Sequence, residues 1–278
     1  MSTHTGLIGW PVAHSLSPVI HQFWREQYNI PGHYTLYPVN PDTMEADIRK
    51  LKASGVRGFN VTVPHKEAIQ PFLDTVDEAA HHIGAVNAVI RDGATWRGTN
   101  TDAYGFITHL RHRVGSLKTV IEHVVILGAG GAARAAIVAL KEAGAEHILI
   151  LNRTKATADA LAAEFHVKSG EWEAQDTLLH HATLLVNTTV LGMAGKPPLT
   201  IDLTGMEANA VVYDIVYTPL DTPLLTAARN RGLQAVDGLG MLLYQAQMAF
   251  HEWHGVFPDV GDGVRQALLT EMAQRAKA

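Results

Sequence analysis

A chain of 278 residues has room for two domains of ordinary size, and 47% hydrophobic with 18% charged residues is the composition of a globular protein. A formal net charge of −5, with no basic stripe anywhere, argues against a nucleic-acid or membrane-surface partner. Cysteine is absent, which removes disulfides, a thiol nucleophile and any Cys-based metal site. The opening MSTHTGLIGW has neither the charged start nor the apolar core of a secretory leader, and no later apolar run is long enough to span a bilayer. A cytoplasmic protein is expected. Histidine is abundant, with 16 copies, yet none stands in an H-E-x-x-H frame; His251 and His254 are three apart in HEWH, so no metal is expected.

In chain order, residues 5–10 predict a short apolar strand ending at Gly9-Trp10-Pro11. A helix follows from Val19 to about Tyr28, with Ser17 as N-cap and Pro18 in its first turn. Ser15 has no capping role to explain it, and two hydroxyls beside a helix start offer a grip on a carboxylate. Residues 33–39 alternate as a strand and 42–53 as an amphipathic helix. In NVTVPHK, Asn60 and Thr62 share one strand face, Pro64 ends the pairing, and Lys66 falls at the start of the next helix. A lysine there opposes the helix dipole, which makes it either a site residue or an ordinary exposed cation.

Residues Ile83 to Ile90 read as another apolar strand carrying a lone Asn87. A strand–turn–strand across Arg91 to Trp96 leads into GTNTD and a helix from Ala103 to about Arg113. Asp102 fits either a plain N-cap or a site carboxylate.

The stretch VVILGAGGAAR then changes the character of the chain. Four apolar residues, Val124 to Leu127, run into Gly128-Ala129-Gly130-Gly131-Ala132-Ala133 and an alanine-rich helix to Ala143. An unbroken apolar strand followed by G-x-G-x-x-A matches the dinucleotide fingerprint: Gly128 for the tight turn, Gly130 for close approach of a pyrophosphate, small Ala133 for helix packing. A plain strand-to-helix turn is the alternative. The next strand, His147 to Leu151, ends in Asn152-Arg153-Thr154. An NAD site usually has Asp or Glu there for the ribose hydroxyls, whereas Arg153 suits a 2′-phosphate, so NADP is favoured over a chance arginine in a solvated loop.

The ordered set SLSP, NVTVPHK, GAVNAV, GTNTDAYGF, GAGGAARA, NTTVLGM (187–193), DIVYTP (214–219) and DGLGMLLYQAQ (237–247) resembles the shikimate dehydrogenase family over nearly the whole chain. The resemblance implies NADPH-dependent reduction of 3-dehydroshikimate to shikimate, on the route to chorismate and the aromatic amino acids. It implies an α/β fold in two domains. A mixed-sheet substrate domain would span 1–103 and 240–278, where a C-terminal helix returns, and a Rossmann-like doubly wound NADP domain would span 104–239.

Carried over to this sequence, Lys66 and Asp102 form the catalytic pair, with the residue that transfers the proton left open. Ser15 and Ser17, with Tyr217, would hold the substrate carboxylate; Thr62, Asn87 and Gln245 would hold the ring hydroxyls. The cofactor would lie along Gly128, Ala129, Gly130, Gly131 and Ala132, with Asn152, Arg153 and Thr154 at the 2′-phosphate and Thr188, Gly238 and Met241 further along. Two departures from the pattern stand out. Gln22 follows His21 where Asn is frequent, and Thr157 replaces a second arginine after Arg153, which implies a weaker preference for NADP. A quinate/shikimate dehydrogenase using NAD or both cofactors is the nearest rival reading. Shikimate is the expected partner, and the sequence leaves a monomer or a homodimer open.

Overall fold

The computed structural model describes residues 3–277. They fall into two compact units, one formed by residues 1–105 with 242–278 and the other by 106–241. Each is built on a six-stranded sheet.

The first unit runs β1 (Thr5–Gly9), α1 (Ser17–Gln27), β2 (Tyr34–Pro38), α2 (Met44–Ala53), β3 (Gly58–Val61), β4 (Thr75–Val76), α3 (Glu78–Ile83), β5 (Ala88–Asp92) and β6 (Thr95–Thr99). The helix α4 (Asp102–Val114) follows. The sheet order is β2-β1-β3-β5-β6-β4, mixed because β5 pairs antiparallel with both β3 and β6. Side chains alternate between its faces. Ile8, Phe59, Val61, Val89 and Trp96 pack with Met44, Ile48 and Leu51 of α2. Leu7, Tyr34, Ala88 and Ile90 pack on the other face with Ala249 and Trp253. Asn60 lies in register with Leu7 and Ala88, so it belongs to that second face.

Three local readings change. Helix α1 starts at Ser17 with Leu16 at the cap position and no side-chain cap, so Ser17 is not the N-cap. Instead Ser15 Oγ accepts from the Ser17 N–H at 3.2 Å. Lys66 does not open a helix; it sits in turns before a short 3₁₀ segment, Gln70–Phe72, and its carbonyl accepts from the Val86 N–H at 2.7 Å. Ile83 to Ile90 is not one strand either. Ile83 ends α3, Gly84 terminates that helix in the left-handed region at φ 74°, and β5 begins at Ala88. Glycine adopts that conformation without the Cβ penalty of other residues.

The second unit contains β7 (His123–Leu127), α5 (Gly131–Glu142), β8 (His147–Leu151), α6 (Lys155–Phe165), β9 (Lys168–Gly170), α7 (Gln175–Leu178), β10 (Leu184–Asn187), β11 (Val211–Asp214), α8 (Pro223–Asn230) and β12 (Gln234–Val236). Its sheet is wholly parallel, in the order β12-β11-β10-β7-β8-β9. Counted from β7 as the first strand, this is the doubly wound order 3-2-1-4-5-6 read from β9. Burial on both faces explains the unbroken apolar runs: every residue of β10 and β11 is buried. The chain ends in α9 (Leu239–His254) and α10 (Asp262–Arg275). Among the described residues no helix is long and apolar enough to cross a membrane.

Helix α8 gives a test of local stability. Thr222 Oγ1 accepts from the Leu225 N–H at 3.2 Å and donates to buried Asp214 Oδ2 at 2.7 Å. Burial pushes the Asp214 carboxyl up, and the bond from Thr222 works against it. Thr222→Ala removes both the cap and a carboxylate partner, at a cost of about 1–2 kcal/mol and a fall of about 3–6 °C in Tm. Thr222→Ser should restore most of it in a thermal melt.

Acid should destabilise the first unit. His21 is completely buried, its ring stacked on Tyr34 at 4.2 Å and 4°, and burial holds its pKa well below the usual histidine value. His254 is pushed down to about 3 by partial burial and by Arg25 and Arg57. Both are neutral when folded and take up protons when unfolded, so stability is present above the ordinary histidine pKa of about 6.5 and is lost as pH falls below it. Tm should drop between pH 7 and pH 5, and His254→Gln should flatten that drop.

Candidate active site

Five residues from four separate stretches meet in the first unit. Lys66 comes from the turn after β3, Asn87 from the residue before β5, Thr101 and Asp102 from the start of α4, and Gln245 from α9. Lys66 Nζ lies 2.5 Å from Asp102 Oδ2, with the two side chains 16% and 6% exposed. Asn87 Nδ2 donates to the other carboxylate oxygen at 2.9 Å. Asp102 is therefore held from both sides and is not a helix cap; Asn100 Oδ1 takes the Asp102 N–H at 2.9 Å instead.

The Asn87 amide has its own supports. Its Oδ1 accepts from the Thr101 N–H at 2.7 Å, and its Nδ2 reaches Thr101 Oγ1 at 3.0 Å and Gln245 Oε1 at 3.5 Å. A donor at the oxygen end settles which way the amide points. Thr101 was not singled out in the sequence, although a hydroxyl flanking the acid in GTNTD was a visible signal.

The predicted hydroxyls come from earlier in the chain. Ser15 Oγ donates to Ser17 Oγ at 3.1 Å, and Arg275 donates to the Ser15 carbonyl at 3.4 Å. Thr62 follows β3, half-buried, its methyl pressed toward Gly9, where an added Cβ would stand 2.5 Å away. Any larger residue at Gly9 would displace Thr62. In chemical terms the cluster offers a cation and a carboxylate, both largely out of water, beside the Thr101 hydroxyl and the amides of Asn87 and Gln245. That arrangement can stabilise negative charge forming on an oxygen.

In the second unit the Gly-rich turn follows β7 at the point where the strand order reverses, between β7 and β10. Gly128 has φ 106°, and a Cβ there would meet Thr188 Oγ1 at 2.6 Å. Thr188 in turn donates to the Leu127 carbonyl at 2.6 Å. Gly130 caps α5 without any side-chain bond, and a Cβ on it would meet nothing within 4 Å. Ala129, Gly130, Gly131 and Ala132 thus put bare backbone and the open N-terminus of a twelve-residue helix at the crevice, the fit expected for a pyrophosphate.

Beyond β8, Asn152 Nδ2 donates to the Thr154 carbonyl at 3.0 Å, while Arg153 and Thr154 are exposed. Lys155 is paired with Asp159. Tyr217 lies on the loop after β11. Gly238 is confined, since a Cβ would come 2.1 Å from the Ile215 carbonyl oxygen, and Met241 is 7% exposed on α9.

A wholly parallel sheet of this order, with a Gly-rich turn at its switch point, defines a dinucleotide-binding α/β protein. The comparisons narrow this. Residues 7–89 match the shikimate dehydrogenase substrate binding domain, and residues 110–192 match the shikimate / quinate 5-dehydrogenase domain. The shikimate dehydrogenase (NADP(+)) of Rhodospirillum rubrum is 46% identical over 271 residues, covering 95% of this chain and 96% of that one. The shikimate 5-dehydrogenase of Thermus thermophilus in complex with NADP(H) and shikimate is 36% identical, with a TM-score of 0.85 over 96% of this chain and 98% of its own. A quinate dehydrogenase from Corynebacterium glutamicum in complex with NAD is 29% identical, with a TM-score of 0.88 over 96% of this chain and 98% of its own. The chain belongs to the shikimate dehydrogenase family.

Proposed function

We propose that this protein is an NADP-dependent shikimate dehydrogenase, interconverting 3-dehydroshikimate and shikimate. The observation that carries the reading is the contact of Lys66 with Asp102 at 2.5 Å, braced by Asn87. It is supported by relatives named shikimate dehydrogenase (NADP(+)) at 41–46% identity over most of the chain.

In this mechanism Ser15 and Ser17 take the substrate carboxylate, with Tyr217 as a further contact, and Thr62, Asn87 and Gln245 take ring hydroxyls. Bound NADPH supplies the hydride. Lys66 stands at the ketone oxygen, stabilises the negative charge that forms there and gives it a proton. Asp102 fixes the ammonium and accepts a hydrogen bond from the neighbouring substrate hydroxyl. The pyrophosphate is held by the backbone of Gly128 to Ala132 and the start of α5, flanked by Thr188. Asn152, Arg153 and Thr154 form the 2′-phosphate end, and Gly238 and Met241 serve the nicotinamide end. On this reading the protein works in the cytoplasm, as a monomer or homodimer, in chorismate and aromatic amino acid biosynthesis.

Initial rates with shikimate and with quinate, each against NADP and NAD, test the specificity. Shikimate with NADP should give the highest kcat/KM. A preference for quinate with NAD would favour the quinate-type reading instead.

A further inference from the structure

Tyr34 and Asn60 lie outside the residues given a role above, yet both are buried, at 8% and 4% exposure. Tyr34 Oη donates to Asn60 Oδ1 at 2.8 Å, and Asn60 Nδ2 donates to the Asn87 carbonyl at 3.1 Å. The Asn87 carbonyl fixes which way the Asn60 amide points, since a reversed amide would set oxygen against oxygen there, and the Tyr34 hydroxyl then donates to the oxygen end and holds the amide in place.

The Asn87 backbone is further held by the Val61 N–H on its carbonyl at 2.8 Å and by its own N–H on the Thr99 carbonyl at 3.1 Å. From that fixed point its side chain reaches Asp102. The Tyr34 ring is itself clamped by the stacked His21 ring. Burial pushes the Tyr34 phenol well above the usual tyrosine value, with a smaller lowering from Ser17, so the hydroxyl stays protonated and able to donate. A polar chain therefore runs from Tyr34 through Asn60, Asn87 and Asp102 to Lys66.

We propose that Tyr34 is a positioning residue: its hydroxyl acts through Asn60 to set Asn87, and so Asp102 and Lys66. The inference rests on the proposed function, in which Lys66 and Asp102 act at the substrate. A tyrosine that only fills space would affect folding alone, and its loss would multiply with losses elsewhere.

The test is Tyr34→Phe, which keeps the ring and removes the hydroxyl. It should lower kcat/KM for shikimate by roughly ten-fold, the effect of leaving a buried partner unpaired, while the KM for NADP stays put and Tm falls by only a few degrees. In an Asn87→Ala background the same change should lower kcat/KM no further. In the ligand-free protein, the side-chain amide resonance of Asn87, identified by its loss in Asn87→Ala, should shift on Tyr34→Phe. An unmoved resonance, an unchanged kcat/KM or losses that multiply would overturn the proposal. The resonance needs no turnover, so a wild-type protein inactive on shikimate would refute the function while the positioning role was still decided.

Discussion

Lys66→Met is expected to lower turnover with shikimate by about 10²–10⁴, the range for losing a general acid or base. The KM for shikimate should change little, because the carboxylate and hydroxyl contacts assigned to Ser15, Ser17 and Thr62 remain. The geometry adds a second expectation. Asp102 is 6% exposed on its side chain and, among the described residues, would keep the Asn87 amide alone as a hydrogen-bond partner. Removing one member of a buried pair leaves the other uncompensated, commonly at about 3–5 kcal/mol. A lower Tm should accompany the lost rate, so the rate must be measured well below the unfolding transition. Asp102→Asn separates the two effects, since an amide keeps the size of the side chain without its charge. Turnover of Lys66→Met within a few-fold of wild type would remove Lys66 from the chemistry.

Arg153→Ala carries the second large expected effect, on cofactor choice. Arg153 is exposed just past β8 and has no hydrogen-bond or ion-pair partner among the described residues. Lys155, the other nearby cation, is tied to Asp159, with Ser169 Oγ also donating to Asp159 at 2.5 Å. Thr157 supplies no charge. In the proposed function Arg153 is the cation for the 2′-phosphate, and a charge-assisted bond of about 1.5–3 kcal/mol corresponds to a roughly 10- to 100-fold rise in the KM for NADP. The KM for NAD should barely move. Equal changes for the two cofactors would end the 2′-phosphate role.

The second unit was largely legible in the sequence, and the reason is physical. Strands buried on both faces need unbroken apolar runs, so Val124 to Leu127 and His147 to Leu151 announce themselves. Gly128 adopts a positive φ, with Thr188 where a Cβ would stand, and it begins the readable G-x-G-x-x-A spacing. Lys66, Asp102 and Asn87 were legible as polar residues in otherwise apolar or helix-starting contexts. Their contact followed only from the resemblance, because residues up to 36 apart leave no local pattern that joins them.

What was missed follows the same logic. Ile83 to Ile90 looks like one strand because burial makes a helix end and a strand start equally apolar. Ser17 before Pro18 resembles a cap, but the helix begins at Ser17 itself. Tyr34 and Asn60 reveal nothing singly, since their partnership depends on β1 lying between β2 and β3.

The most direct measurement is the stoichiometry of the reaction with purified wild-type protein. One NADPH should form for each shikimate consumed, with a product two mass units lighter, as oxidation of one hydroxyl to a ketone requires. No NADPH from shikimate and NADP, with the protein folded by thermal melt, would contradict the account.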